Sequence, residues 1–177
     1  MLVVAVIFIL IGMAIPLSLT MSEQMRVDNG LRDVERELQN ARLKAVAVNQ
    51  RLRVRFSCPS VGTFRTVQVM GTAVDTADNR CNETAYPWPT PRDGNPGTPD
   101  YDGPVRFVLP GATLAGLGGG GALTALEFTP DGQVREVSGG TTRTISPTGI
   151  NLTLTRDTHS ATVNVNALGR IRIQPTQ

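Results

Sequence analysis

The chain has 177 residues, 40% of them hydrophobic and 18% charged, with a formal net charge of +2. That length accommodates one long helix and one small globular domain but not a second large domain. Two Cys and one His exclude a Cys/His zinc cluster.

Residues 1–19 form an uncharged, almost wholly apolar run, MLVVAVIFILIGMAIPLSL. In a helix they span ~29 Å, about one hydrocarbon core. No Lys or Arg precedes the run and no small-residue cleavage site follows it, so it reads as a retained anchor, not a secretory signal peptide. Pro16 lacks an N–H and clashes with the preceding turn, which predicts a kink or loosening there.

Helical spacing continues beyond the apolar run. Val27, Leu31, Val34, Leu38, Ala41, Ala45 and Val48 recur every three or four residues, which places them on one stripe. Asp28 and Arg32 sit at i, i+4 on the polar side. Leu43, Val46 and Ala47 widen the apolar surface and predict that this end packs onto a domain. Gly30 is read as a second weak point. A rod from Leu2 to about Asn49 would be ~70 Å long, a stalk in its proportions.

The period then changes from 3.6 to 2. Leu52, Val54 and Phe56 alternate with Arg51, Arg53 and Arg55, the pattern of a half-buried strand. Further strands are predicted over residues 64–70, 105–109, 123–128, 133–137, 151–156, 161–166 and 170–173. Pro130-Asp131-Gly132 and Ala167-Leu168-Gly169 read as hairpin turns. Residues 71–104 carry six Pro and little apolar patterning, so they form a long loop of the kind that is functional or disordered. Gly118 to Gly121 lacks the Lys, Ser or Thr of a phosphate-binding loop and is read as a flexible connector.

The fold class expected is α+β, with three parts. Residues 1–21 are the transmembrane half of the helix, residues 22–50 its amphipathic half, and residues 51–177 a β-rich head built on a small antiparallel sheet.

All basic residues but Lys44 are Arg, sixteen in number. Residues 22–50 are neutral, with five bases and five acids. The segment from Asp75 to Asp102 holds six acids against two Arg, leaving the rest of the head at +6. Cys58 and Cys81 are the only possible pair. In an exported head, a disulfide closing this loop would add roughly 3 kcal/mol by restricting the unfolded chain. In a reducing compartment the same residues are two free thiols.

Asp157, His159 and Ser160 are the residue types of a hydrolase triad. Within four positions of one hairpin they cannot converge as orienter, base and nucleophile, so no enzyme is expected, nor a cofactor or metal.

Three segments resemble the type IV pilin-like proteins of the GspH/FimT group, minor pilins and pseudopilins. Val3-Val4-Ala5-Val6-Ile7, Ile11 and Ala14-Ile15-Pro16 resemble the group's N-terminal helix. The stretch from Arg32 to Arg42, ending at Asn49-Gln50-Arg51, resembles its helix-to-strand passage. Leu126 to Gly132 and Val163 to Ile173 resemble its closing hairpins. The likeness leaves residues 71–104 uncovered. Members begin with a basic leader, a Gly before the cleavage point, and an aromatic and a Glu ahead of the apolar run. Met1 already lies inside that run, so the reading frame is expected to continue upstream.

The resemblance implies a single-pass subunit of the bacterial inner membrane with its head in the periplasm. Val3, Val4, Ile7, Ile11 and Pro16 would lie in lipid and later against neighbouring helices of a type II secretion pseudopilus or type IV pilus. The implied partners are other pilins or pseudopilins, the inner-membrane assembly platform and membrane lipid. Where a leader exists, prepilin peptidase joins them, and methylation of the new terminus is expected.

Gly169-Arg170-Ile171-Arg172 further matches a GRxR motif associated with DNA binding in FimT-type minor pilins of natural transformation, which makes DNA a second candidate partner. Arg170 and Arg172, two apart on a strand, share a face across which a phosphate backbone could lie. The competing reading is that the hairpin only closes the sheet, its Arg solvated or paired to Glu127 or Glu136. Tyr86 and Trp88 stand on the acidic loop, which is read as a protein-contact or tip surface.

Overall fold

The computed structural model describes residues 2–71, 75, 78–91, 94–95, 97–119 and 121–174, with side chains from residue 21 onward except at 78 and 79. Helix α1 runs over Leu2–Val48, 47 residues. The ten strands are β1 (Leu52–Phe56), β2 (Thr63–Gln68), β3 (Arg106–Phe107), β4 (Thr113–Gly118), β5 (Gly121–Phe128), β6 (Val134–Ser138), β7 (Thr141–Thr144), β8 (Ile150–Arg156), β9 (His159–Val165) and β10 (Ile171–Gln174). All pairings are antiparallel, and the order is β10-β9-β8-β4-β5-β1-β2-β3, with β6 on the remaining edge of β5 and β7 beside β6. The join between halves is slight, since β4 and β5 share only Leu117↔Ala122 and Gly118↔Gly121. One half is therefore β4-β8-β9-β10, the other β7-β6-β5-β1-β2-β3, and the sheet curls around the helix.

The helix stripe lies in that curl. Val27, Leu31, Val34, Leu38, Ala41 and Ala45 are buried with Leu52, Val54, Phe56, Leu126 and Phe128 from one half and Leu152, Leu154, Val163, Val165 and Ile171 from the other. Burying one such aliphatic side chain contributes about 1.5–3 kcal/mol, so this stripe, not intrinsic helix propensity, fixes the helix on the head.

Three expectations for the helix fail. Val48, Leu43 and Val46 remain 46%, 68% and 49% exposed, so the buried stripe ends at Ala45 and is not widened there. Gly30 is no weak point. It is buried, and a Cβ there would lie 3.2 Å from Leu154 and 3.4 Å from the Val108 carbonyl, so its bareness lets the sheet approach.

The strands follow the expected sites with shifted ends, except that β3 shrinks to two residues and β4 and β7 were not foreseen. β7 has all four residues exposed, leaving no alternation to read. Gly118 and Gly121 pair in register as the last residue of β4 and the first of β5, and the Glu136 carboxylate accepts a bond from the Gly119 N–H at 2.7 Å while filling the space above Gly118.

Candidate functional site

The β9–β10 hairpin closes on its own side chain. Asn166 Oδ1 accepts from the N–H groups of Leu168 (3.1 Å) and Arg170 (2.9 Å), and the Gly169 N–H donates to the Asn166 carbonyl at 3.0 Å. Gly169 has φ of 75°, which favours glycine. A Cβ there would fall 2.5 Å from Arg42 Nε and 2.7 Å from the Gly132 carbonyl oxygen. The Gly of the GRxR motif thus has a structural duty: it makes room for Arg42.

Arg42 reaches from α1 across both closing hairpins. Its Nε donates to the Gly132 carbonyl at 3.2 Å and its Nη2 to the Leu168 carbonyl at 3.0 Å. The Val134 N–H bonds the Ala167 carbonyl at 2.9 Å, so the two turns are also joined directly. Sequence reading missed this residue. An Arg on the polar side of a helix carries no signal that its partners are carbonyls on hairpins 90 and 126 residues away.

Beyond the turn, Ile171 enters the core while Arg170 and Arg172 on either side of it are exposed. Among the described residues neither forms an ion pair. The two carboxylates considered for them are committed elsewhere. Glu127 takes Arg53 at 2.7 Å and Arg51 at 3.5 Å, and Glu136 sits on Gly119. The four strands around Arg172, namely β4, β8, β9 and β10, contain no Asp or Glu.

The long loop is organised by buried arginines. Arg65 donates to the carbonyls of Gly103 (2.6 Å), Arg80 (2.7 Å) and Tyr86 (2.6 Å). Arg80 meets Asp102 through Nη2 and through Nε, the latter at 3.0 Å, and donates to the Gln68 carbonyl at 2.7 Å. Arg80 and Asp102 are both fully buried. Burial pushes the Asp102 carboxyl above the usual carboxylate range, opposed by its bonds from Arg80. Cys58 and Cys81 are joined by a disulfide that fastens the loop to the end of β1. Trp88 stacks edge-on against Tyr101 at 5.8 Å, and the Lys44 ammonium lies over the Tyr101 ring, bringing the loop down onto the helix. Tyr86 packs near Arg80, while Trp88 stays half exposed.

Asp157, His159 and Ser160 do not assemble into a catalytic set. His159 Nδ1 faces Gln24 Oε1 at 3.2 Å, and Ser160 is paired in register with Thr155. Among the described residues no group of three His, Cys, Asp or Glu could hold a metal ion.

The expected anchor residues Val3, Val4, Ile7, Ile11 and Pro16 lie outside the described side chains. From residue 21 onward, where side chains are described, no helix is long and apolar enough to cross a membrane.

No family model matches the sequence, and no curated protein matches it. Solved structures do. The type IV minor pilin FimU of Pseudomonas aeruginosa is similar over 88% of this chain and 92% of its own, with 15% identity and a TM-score of 0.51. The minor pseudopilin EpsH from the Type 2 Secretion System of Vibrio cholerae is similar over 84% of this chain and 96% of its own, with 15% identity and a TM-score of 0.49. The likeness to FimU shows the fold: this chain has a type IV pilin-like fold of the GspH/FimT kind.

Proposed function

We propose that this chain is a minor pilin or pseudopilin, held in the bacterial inner membrane by residues 1–21 with its head in the periplasm. From there it is assembled with other pilins or pseudopilins, by an inner-membrane platform, into a type II secretion pseudopilus or a type IV pilus. The observation that carries this reading is the helix. Its stripe from Val27 to Ala45 is buried in the head, while its N-terminal half runs on past the head as an apolar sequence of bilayer length. An apolar helix has little preference between lipid tails and other apolar helices, so packing and any buried charge decide its transfer into a filament. Where a leader exists, prepilin peptidase would cleave it, with methylation of the new terminus following. The reading involves no catalytic step, cofactor or metal.

Photo-crosslinking residues placed at Ile7 and Ile11 of the full chain test it. Crosslinks to lipid before assembly and to neighbouring pilins during assembly are expected. A chain with Ile7→Asp and Ile11→Asp should leave the membrane fraction. Crosslinks to lipid alone in assembling cells would reject the filament role.

A second reading is DNA capture. It is favoured by Arg170 and Arg172, which are exposed and form no ion pair among the described residues, beside four strands without a carboxylate. Such contacts to phosphate are sequence-independent, and each gives a salt slope of about −0.9 on a log–log plot. A gel shift of duplex DNA by the wild-type chain, lost in Arg170→Ala/Arg172→Ala, is the expected result. Equal shifts by both proteins, or none by either, would leave assembly as the only role.

A further inference from the structure

The β8–β9 turn is clipped to the helix just beyond the end of the apolar run. Arg156 Nη1 meets Glu23 Oε2 at 3.1 Å, and His159 Nδ1 faces Gln24 Oε1 at 3.2 Å. Arg156 and His159 pair in register, so Asp157 and Thr158 between them are the tip of the hairpin, and both are exposed. Gln24 is braced by Asp28, whose carboxylate accepts from its Nε2 at 3.2 Å.

Helix geometry sets the distance from this tip to a bilayer. α1 is unbroken from Leu2 to Val48, and Leu19 is the last residue of the apolar run. At 1.5 Å per residue, Glu23 and Gln24 lie only ~6–8 Å beyond Leu19 along the axis. The headgroup layer on one side of a bilayer is about 5–8 Å deep. A turn fastened to Glu23 and Gln24 therefore lies at headgroup level. The other end of the head is remote. Arg42, bonded to the Leu168 carbonyl at 3.0 Å, stands ~35 Å past Leu19. Lys44, farther still, holds Tyr101 of the long loop.

The groups near the tip are of both signs. Glu23 lies between two guanidiniums, Arg26 on Oε1 and Arg156 on Oε2, each at 3.1 Å. One carboxylate shared by two Arg leaves positive charge in excess, and Arg26 is largely exposed. Asp157 sets an exposed carboxylate beside it at the tip. A phosphate for the guanidiniums and an ammonium for Asp157 are the two charges of one zwitterionic phospholipid headgroup. A mixed-sign surface gains little from anionic lipid, whose attraction needs clustered Lys or Arg. Met21, between Leu19 and this cluster, is 57% exposed and adds apolar surface where the acyl chains begin.

We infer that, before assembly, the tip of the β8–β9 hairpin is seated among zwitterionic phospholipid headgroups, with Arg26 and Arg156 on lipid phosphate and Asp157 on lipid ammonium. This rests on the anchor reading above and adds to it a second membrane contact, made by the head itself. The β8–β9 turn, not the long loop, is then the part of the head that faces the bilayer.

The full chain reconstituted into vesicles of phosphatidylethanolamine and phosphatidylcholine tests this. Cys58 and Cys81 are the only cysteines and are bonded to each other, so a bimane label goes to one introduced thiol, Thr158→Cys or Leu168→Cys. A nitroxide carried on the lipid headgroup quenches by proximity. The label at position 158 should be quenched several-fold more than the label at 168, and to the same degree when phosphatidylglycerol is added. Trp88 emission, from the long loop, should stay unquenched in both variants and checks the fold in each sample. Quenching of Trp88 as strong as that at 158 would put the long loop on the bilayer and overturn the orientation. Equal quenching at 158 and 168, in protein that floats with the vesicles, would overturn the headgroup contact and leave the anchor standing. Quenching at 158 only in the presence of phosphatidylglycerol would overturn the zwitterionic assignment. Protein that does not float with the vesicles would refute the anchor, and the contact with it.

Discussion

Two arginine sets, one in each half of the sheet, are used in opposite ways. In β7-β6-β5-β1-β2-β3, Arg65 lies under the long loop, bonded to three carbonyls, and Arg53 is tied to Glu127. In β4-β8-β9-β10, Arg172 stands in solvent with no acid on any strand around it. A count of sixteen Arg therefore says little. What separates an architectural arginine from a solvent-facing one is whether carbonyls and carboxylates have been folded around it.

The sharpest way to break that contrast is to remove one arginine of each kind. Arg80→Ala strands Asp102 in the interior and should cost about 3–5 kcal/mol in urea unfolding of a chain beginning at Ser22. Arg172→Ala should change stability by less than ~0.5 kcal/mol. Similar losses at both positions would erase the distinction. The Ser22 chain itself should be soluble and monomeric, with the circular dichroism of a β protein bearing one helix.

The second strongest effect concerns the disulfide, which fixes only the half that carries the loop. Replacing Cys58 and Cys81 with Ala should lose roughly 3 kcal/mol. Mass spectrometry of periplasmic protein should find neither thiol open to alkylation before reduction. Two alkylated thiols would mean that Arg65 and Arg80 hold the loop without covalent help.

Where the halves meet, at Arg42, the effect is smaller. Gly169→Ala forces a side chain into a left-handed conformation and onto Arg42, for a loss of about 1–3 kcal/mol. Part of that loss should vanish in an Arg42→Ala background, because the two changes share one contact. Strict additivity would show that backbone strain alone accounts for it.

The smallest effect is one of pH. The Thr129 hydroxyl bond holds the Asp131 carboxyl below the usual carboxylate range. An acid with a depressed folded pKa contributes stability above its unfolded value, ~4, and loses it as pH falls through the folded one. Asp131→Asn should flatten the acid limb of the stability curve slightly and leave neutral pH almost unchanged. An unaltered acid limb would detach this turn from the pH response.

What the sequence made legible were the elements with one face in the core. Val27 to Ala45 and Leu52-Val54-Phe56 announce themselves by period, because burial demands it. β7 has no buried face, and β4 carries Gly116 where Leu152 and Leu123 crowd in, so neither shows the alternation that marks a strand. Arg170 and Arg172 were visible as a pair. Their neighbour across the sheet was not, since it depends on the register that sets Arg172 against Asn164. Arg42 and Arg65 were silent for a common reason: carbonyl partners leave no mark in a sequence.

The Arg42 contact also has a mechanical meaning. A pull along α1 would be resisted by the buried stripe in shear along much of the helix. Arg42 adds to this a separate strap, gripping the Gly132 and Leu168 turns near the helix's C-terminal end. Tension on the rod would then reach both hairpins together and would not peel β10 from β9 alone. A head so harnessed moves with its helix as one rigid piece.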